Sequence, residues 1–73
     1  SMTGQELREL RQEARLPVRH LADALGVAEK HVFAIEQQQQ PRQAYVTIYR
    51  IMAKQRVAHL SKMLTESSDT NST

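Results

Sequence analysis

The stretch LADALGVAEKHVFAIE, Leu21 to Glu36, decides the fold. Leu21, Ala22 and Leu25 recur at helical spacing. Gly26 then stands where a helix commonly ends in a left-handed residue. Ala28-Glu29-Lys30 opens a further helix, with Val32 and Ile35 at i and i+3 on its inner face. Val27, between the two, is expected to be buried. The pattern predicts two short helices joined by a tight turn, the second apolar on one side and polar on the other.

Upstream, Thr3-Gly4-Gln5-Glu6 fits a capping box, a hydroxyl cap with Glu three residues on. Leu7, Leu10 and Ala14 follow at helical steps, so a first helix is expected from about Gly4 to Ala14. Pro17 suits the first turn of the next helix, where its missing N–H costs nothing. Neither Leu16-Pro17 nor Ala28 offers a side-chain cap. An absent cap costs roughly 1 kcal/mol, so packing must hold the second and third helices.

Downstream, the pattern breaks at Gln37–Gln40 and restarts at Pro41. Val46, Tyr49, Ala53, Val57, Leu60 and Leu64 then repeat in steps of three and four. The spacing fits one helix of about 20 residues, or two with a bend near Lys54 to Arg56. The all-polar end, TESSDTNST over residues 65–73, is expected to be disordered. Ser1, ahead of Met2, reads as a cloning remnant. No segment alternates with period two, so one all-α domain is expected over residues 2–64.

Length and composition narrow the function. At 73 residues the chain has room for one modest core, which oligomerisation often supplements. It has no cysteine, which excludes disulfides and cysteine-based zinc sites. No apolar run is long enough to span a membrane, and no signal-peptide pattern opens the chain. His20, His31 and His59 fall on three different helices, without the i,i+4 pairing of helical metal sites. No nucleophile–base set or phosphate-binding glycine loop has a supporting context. Neither catalysis, a metal nor another cofactor is expected.

Charge is unevenly placed. Residues 1–36 carry five Arg/Lys against six acids, a net −1. Residues 37–64 carry five Arg/Lys and no acid, a net +5. A basic second half is a polyanion footprint, or else a solvated helix face.

Two short helices joined at Leu25-Gly26-Val27, the second with a polar outer face, form a helix-turn-helix pattern. Over about residues 5–53 the chain resembles the phage-repressor and Cro type of helix-turn-helix protein, the XRE family. The matching residues are Leu7, Leu10 and Arg11, then Leu21-Ala22, Leu25-Gly26-Val27, Val32, Ile35-Glu36 and Pro41. The resemblance implies a compact, lambda-repressor-like fold of four to five helices. It also brings Arg11 and Glu36 together as a partly buried ion pair. It implies binding of double-stranded DNA, with the third helix (about 28–37) in the major groove.

On that reading Glu29, Lys30, Phe33 and Ala34 face the bases. Lys30 donates to guanine, Glu29 accepts from cytosine N4, and Phe33 or Ala34 meets a thymine methyl. Glu29 also suits a helix N-terminus, and Phe33 is alternatively a core or dimer-seam residue. Phosphate contacts are implied at Val18 and Arg19, and at Gln37, Gln39 and Arg42. Two positions depart from the family. Val18 stands where Gln is frequent, leaving only its backbone to donate. Gln38 stands where a Gly commonly closes the third helix, and Gln is uncommon in a left-handed conformation.

Relatives dimerise on two-fold operators. Val57, Leu60, Met63 and Leu64 extend past a four-helix core, and Ile48 and Ile51 lie on a partly separate face. These six residues are the expected homodimer seam; a fifth helix folding back is the alternative for the C-terminal part. The resemblance thus implies a dimeric repressor on a palindromic operator, Cro-like, of a phage, plasmid or mobile element. It would act in the bacterial cytoplasm at the nucleoid, with no sensing domain and no small-molecule ligand. The rival is an antitoxin-like module that binds a partner protein and autoregulates its operon.

Overall fold

The computed structural model describes residues 2–71, with side-chain surroundings over residues 2–66. The chain is all-α there, with α1 over Gly4–Glu13, α2 over Val18–Leu25, α3 over Glu29–Ile35 and α4 over Gln43–Asn71. The reading of Ser1 as a cloning remnant lies outside the described residues.

The capping box forms at the start of α1. The Glu6 N–H donates to Thr3 Oγ1 at 3.2 Å, and the Thr3 N–H donates to Glu6 Oε1 at 2.9 Å. Two orphan donors are satisfied by a reciprocal pair of bonds. The start of α2 has only Pro17, and that of α3 only Ala28, with no side-chain cap at either. Burial holds them instead: Leu21 and Ala22 anchor α2, and Val32 and Ile35 anchor α3.

The first two helices end in the same way. The Gly26 N–H donates to Asp23 O and the Val27 N–H to Ala22 O, with Gly26 at φ 70°. The Arg15 N–H donates to Gln12 O and the Leu16 N–H to Arg11 O, with Arg15 at φ 55°. Both pairs of bonds satisfy helix-end carbonyls through a left-handed residue. Glycine makes that conformation easy at residue 26. Arg15 adopts it against a penalty of roughly 1 kcal/mol. Leu16, just beyond, is buried, and its burial offsets the cost. Val27 is half-buried against the core rather than fully enclosed.

The core comprises Leu7 and Ala14 from α1, Leu16, Leu21 and Ala22 around α2, Val32 and Ile35 from α3, and Val46, Tyr49 and Ala53 from α4. α1 and α2 both pack on α4, and α3 packs on α2. α3 therefore sits at the edge of the bundle with one side free.

α4 corrects the expected end of the domain. It is one uninterrupted helix, not two with a bend near Lys54 to Arg56. It also runs to Asn71, through residues 65–71 that the all-polar composition marked as disordered. No Gly or Pro stops it, and extending an established helix costs far less than nucleating one. Residues 72 and 73 of that expected tail lie outside the described residues. At 1.5 Å per residue the helix is about 44 Å long, close to the 49 Å long axis of the chain.

Candidate nucleic-acid interface

Gly26 sets the junction between α2 and α3, and Ala22, 4% exposed, lets the two helices approach. α3 spans Glu29–Ile35, shorter than the expected 28–37. Val32 and Ile35 are fully buried, while Glu29, Lys30, His31, Phe33 and Ala34 are exposed. At about 100° per residue, Lys30 and Ala34 point most directly away from the buried side. Phe33 and Glu29 flank them on one side and His31 on the other. His31, one helical turn before the buried Ile35, is exposed at the rim of that face.

Phe33 takes neither of the two places expected of it alone. The residue is 49% exposed, and the guanidinium carbon of Arg11 lies 5.9 Å from its ring centroid. One ring face thus covers a cation, a contact worth about 0.5–1 kcal/mol at such a site.

Beneath that ring, Arg11 and Glu36 pair as the resemblance implied. Arg11 Nε donates to Glu36 Oε2 at 2.7 Å and Arg11 Nη2 to Oε1 at 3.0 Å. The two side chains are 12% and 3% exposed. A third member was missed: Tyr49 Oη donates to Glu36 Oε2 at 2.6 Å. Burial of Tyr49, and then its bond to Glu36, push the phenol well above its ordinary range. The bond to Glu36 likewise holds the Arg11 guanidinium more firmly protonated than usual. The cluster ties α1, the end of α3 and α4 together at one carboxylate.

That anchor fixes the loop after α3. The Gln37 N–H donates to Ala34 O and the Gln38 N–H to Ile35 O, both at 3.1 Å, closing the helix with tight turns. Gln38 is not left-handed; among the described non-glycine residues only Arg15 has positive φ. Its carbonyl instead accepts the Gly4 N–H at 2.8 Å. A Cβ at Gly4 would lie 2.6 Å from the carbonyl oxygens of Gln38 and Glu36. Gly4 is thus the residue that lets α1 press against this loop, a role its place in the capping box did not reveal.

The phosphate candidates surround this face. Gln37, Gln39 and Arg42 are exposed on the loop and at the start of α4. Val18 is half-buried and Arg19 exposed in the first turn of α2, where no side chain caps the helix. Backbone N–H groups there are suited to an anion. A polar cleft next to the loop adds two residues that were not singled out: Gln5 and Arg8 of α1 line it together with Phe33, Gln37 and Gln39.

The six dimer-seam candidates do not form one face. Val57, Leu60 and Leu64 continue the Val46–Tyr49–Ala53 stripe, with Met63 at its edge. Ile48 and Ile51 lie well over 90° around the helix from the centre of that stripe, at about 100° per residue. Val57, Met63 and Leu64 are 54%, 51% and 74% exposed, Ile51 is exposed, and Ile48 and Leu60 are half-buried. α4 does not fold back, so the alternative of a fifth helix covering its own core is not what the chain adopts. His20 and His59 line one shallow cleft, apart from His31. No helix among the described residues is long and apolar enough to cross a membrane. Comparison with known families, with curated proteins and with solved structures finds no match.

Proposed function

We propose that the chain is a sequence-specific, double-stranded DNA-binding transcriptional regulator, acting as a dimeric repressor on a palindromic operator. The observation that carries this reading is the free outer face of α3. It is held at the bundle edge by α2 and presents Glu29, Lys30, Phe33 and Ala34. A single helix of this kind is the element that fits a major groove, and its donors and acceptors match base edges. Arg19, Gln37, Gln39, Arg42 and the first turn of α2 supply backbone contacts on either side, which set register. The Arg11–Glu36–Tyr49 cluster supports the reading by fixing the loop relative to α3.

A second reading has one observation in its favour. The exposed Val57, Met63 and Leu64 lie on a helix longer than composition suggested. Such a stripe also suits an antitoxin-like module with a protein partner.

Footprinting on the gene's own upstream region tests the first reading. The expected result is a protected palindrome with half-sites about 10 bp apart, and affinity that falls steeply with salt. No affinity for any duplex at about 50 mM salt, where phosphate contacts are strongest, would overturn it.

A further inference from the structure

The cleft between the first half of α1 and the α3–α4 loop has a chemistry that the α3 face does not use. Arg8 stands in it with no hydrogen-bond or ion-pair partner among the described residues. The acids nearest on its own helix are engaged: Glu6 in the capping box, and Glu9 with the Gln5 amide at 3.3 Å. Glu36 borders the cleft too, but both its oxygens accept from Arg11 and one also from Tyr49. Neither Glu6 nor Glu9 lines the cleft, and the charge of Glu36 is balanced by Arg11. The other polar walls are Thr3 and the carboxamides of Gln5, Gln37, Gln38 and Gln39, each carboxamide with N–H donors. An unpaired guanidinium among amide donors selects an anion, and its planar fork matches a phosphate.

The position of the cleft says which phosphate. Phe33 forms one wall, and the same residue belongs to the exposed face of α3. An anion in the cleft therefore sits beside whatever lies along α3. We propose that this cleft binds a phosphodiester of the DNA backbone, with Arg8 as its cation and Gln37 and Gln39 as neutral donors. α1 then becomes a further backbone-contacting element, beyond the loop and α2. This rests on the DNA-binding reading and extends it to a site on a different helix.

Fluorescence anisotropy tests it, with two labelled duplexes of roughly two helical turns. One comes from the gene's upstream region and one is unrelated in sequence. Arg8 is exposed and makes no hydrogen bond or ion pair among the described residues, so Arg8→Gln should fold as the wild type does. The expected result is a loss of about tenfold in affinity at 0.1 M salt on both duplexes, with the salt slope reduced by about one. Arg8→Lys should restore most of both. Wild-type affinity and slope in Arg8→Gln would overturn the cleft assignment while leaving DNA binding standing. A loss on the upstream duplex alone would make Arg8 a base reader and also overturn it. Absence of salt-dependent binding by the wild type would defeat the underlying reading itself.

Discussion

The two halves of α4 carry one pattern and meet two fates. Val46, Tyr49 and Ala53 are buried, and Tyr49 closes the cluster around Glu36. Val57, Leu60 and Leu64 continue the same stripe in the same steps, yet Val57 is half exposed and Leu64 three-quarters exposed. The difference is what stands opposite. α1 and α2 cover the first half. Arg56, whose Nε donates to the Arg15 carbonyl at 3.1 Å, marks where that cover thins out. Periodicity reports which side of a helix is apolar. It does not report whether anything covers it.

The comparison is broken most severely from the packed half. Arg11→Ala leaves Glu36, 3% exposed, with a buried charge held only by Tyr49. Stranding one partner of a buried pair costs about 3–5 kcal/mol, a large share of the stability of so small a domain. Arg8→Ala, three residues away on the exposed side, should stay within about 0.5 kcal/mol of wild type. Thermal melts of the two variants decide it: equal melting temperatures would mean the ion pair does not carry the fold.

Much of the packed four-helix part was legible. Thr3 and Glu6 announce their cap locally, and Gly26 announces its turn. The Arg11–Glu36 pair came from a resemblance, because nothing in local spacing links residues 25 apart. Three features escaped for physical reasons. Tyr49 sits in an apolar stripe, and periodicity counts its ring while ignoring its hydroxyl, although a buried Tyr O–H needs a partner. Gly4 is required by a backbone contact with residue 38, which no window on the sequence contains. Arg15 takes a left-handed conformation with no glycine to signal it, because the burial of Leu16 overrides the local preference. At the site, the free face of α3 was readable from Val32 and Ile35, but the Arg8 cleft depends on how α1 meets the loop. The polar end of α4 misled because low hydropathy argues against a core, and a helix already nucleated needs none to continue.

A smaller effect sharpens the packed half through pH. The Tyr49 phenol is pushed up from its ordinary value near 10 by burial and by Glu36. Its folded form keeps the proton at pH values where the unfolded chain has begun to lose it. The associated stability is therefore complete below about pH 10 and declines above it, by up to about 1.4 kcal/mol per pH unit. Tyr49→Phe should be less stable at pH 8, because Glu36 loses a hydrogen bond, and should show a shallower alkaline decline. Urea unfolding between pH 8 and pH 11 measures both slopes. Identical slopes in the two proteins would remove Tyr49 from the account.

The smallest effect on folding is expected in the second half, where it is the most informative. Leu60 is half-buried on the continuing stripe, next to Val57 and Leu64 and beyond Ala53, the last core residue of α4. Leu60→Asp should therefore alter the four-helix core by about 1 kcal/mol or less, the value of a partly buried leucine. If the uncovered stripe is the seam between two copies, a charge at its centre has no partner and cannot be desolvated cheaply. The variant should then be a folded monomer by light scattering, with its helix content kept and its DNA affinity reduced. Ile51→Asp, well around the helix from that stripe, should leave assembly unchanged. A Leu60→Asp protein that remains dimeric, beside an Ile51→Asp protein that does not, would move the seam to the other face of α4. It would also show that the stripe from Val57 to Leu64 awaits a different partner.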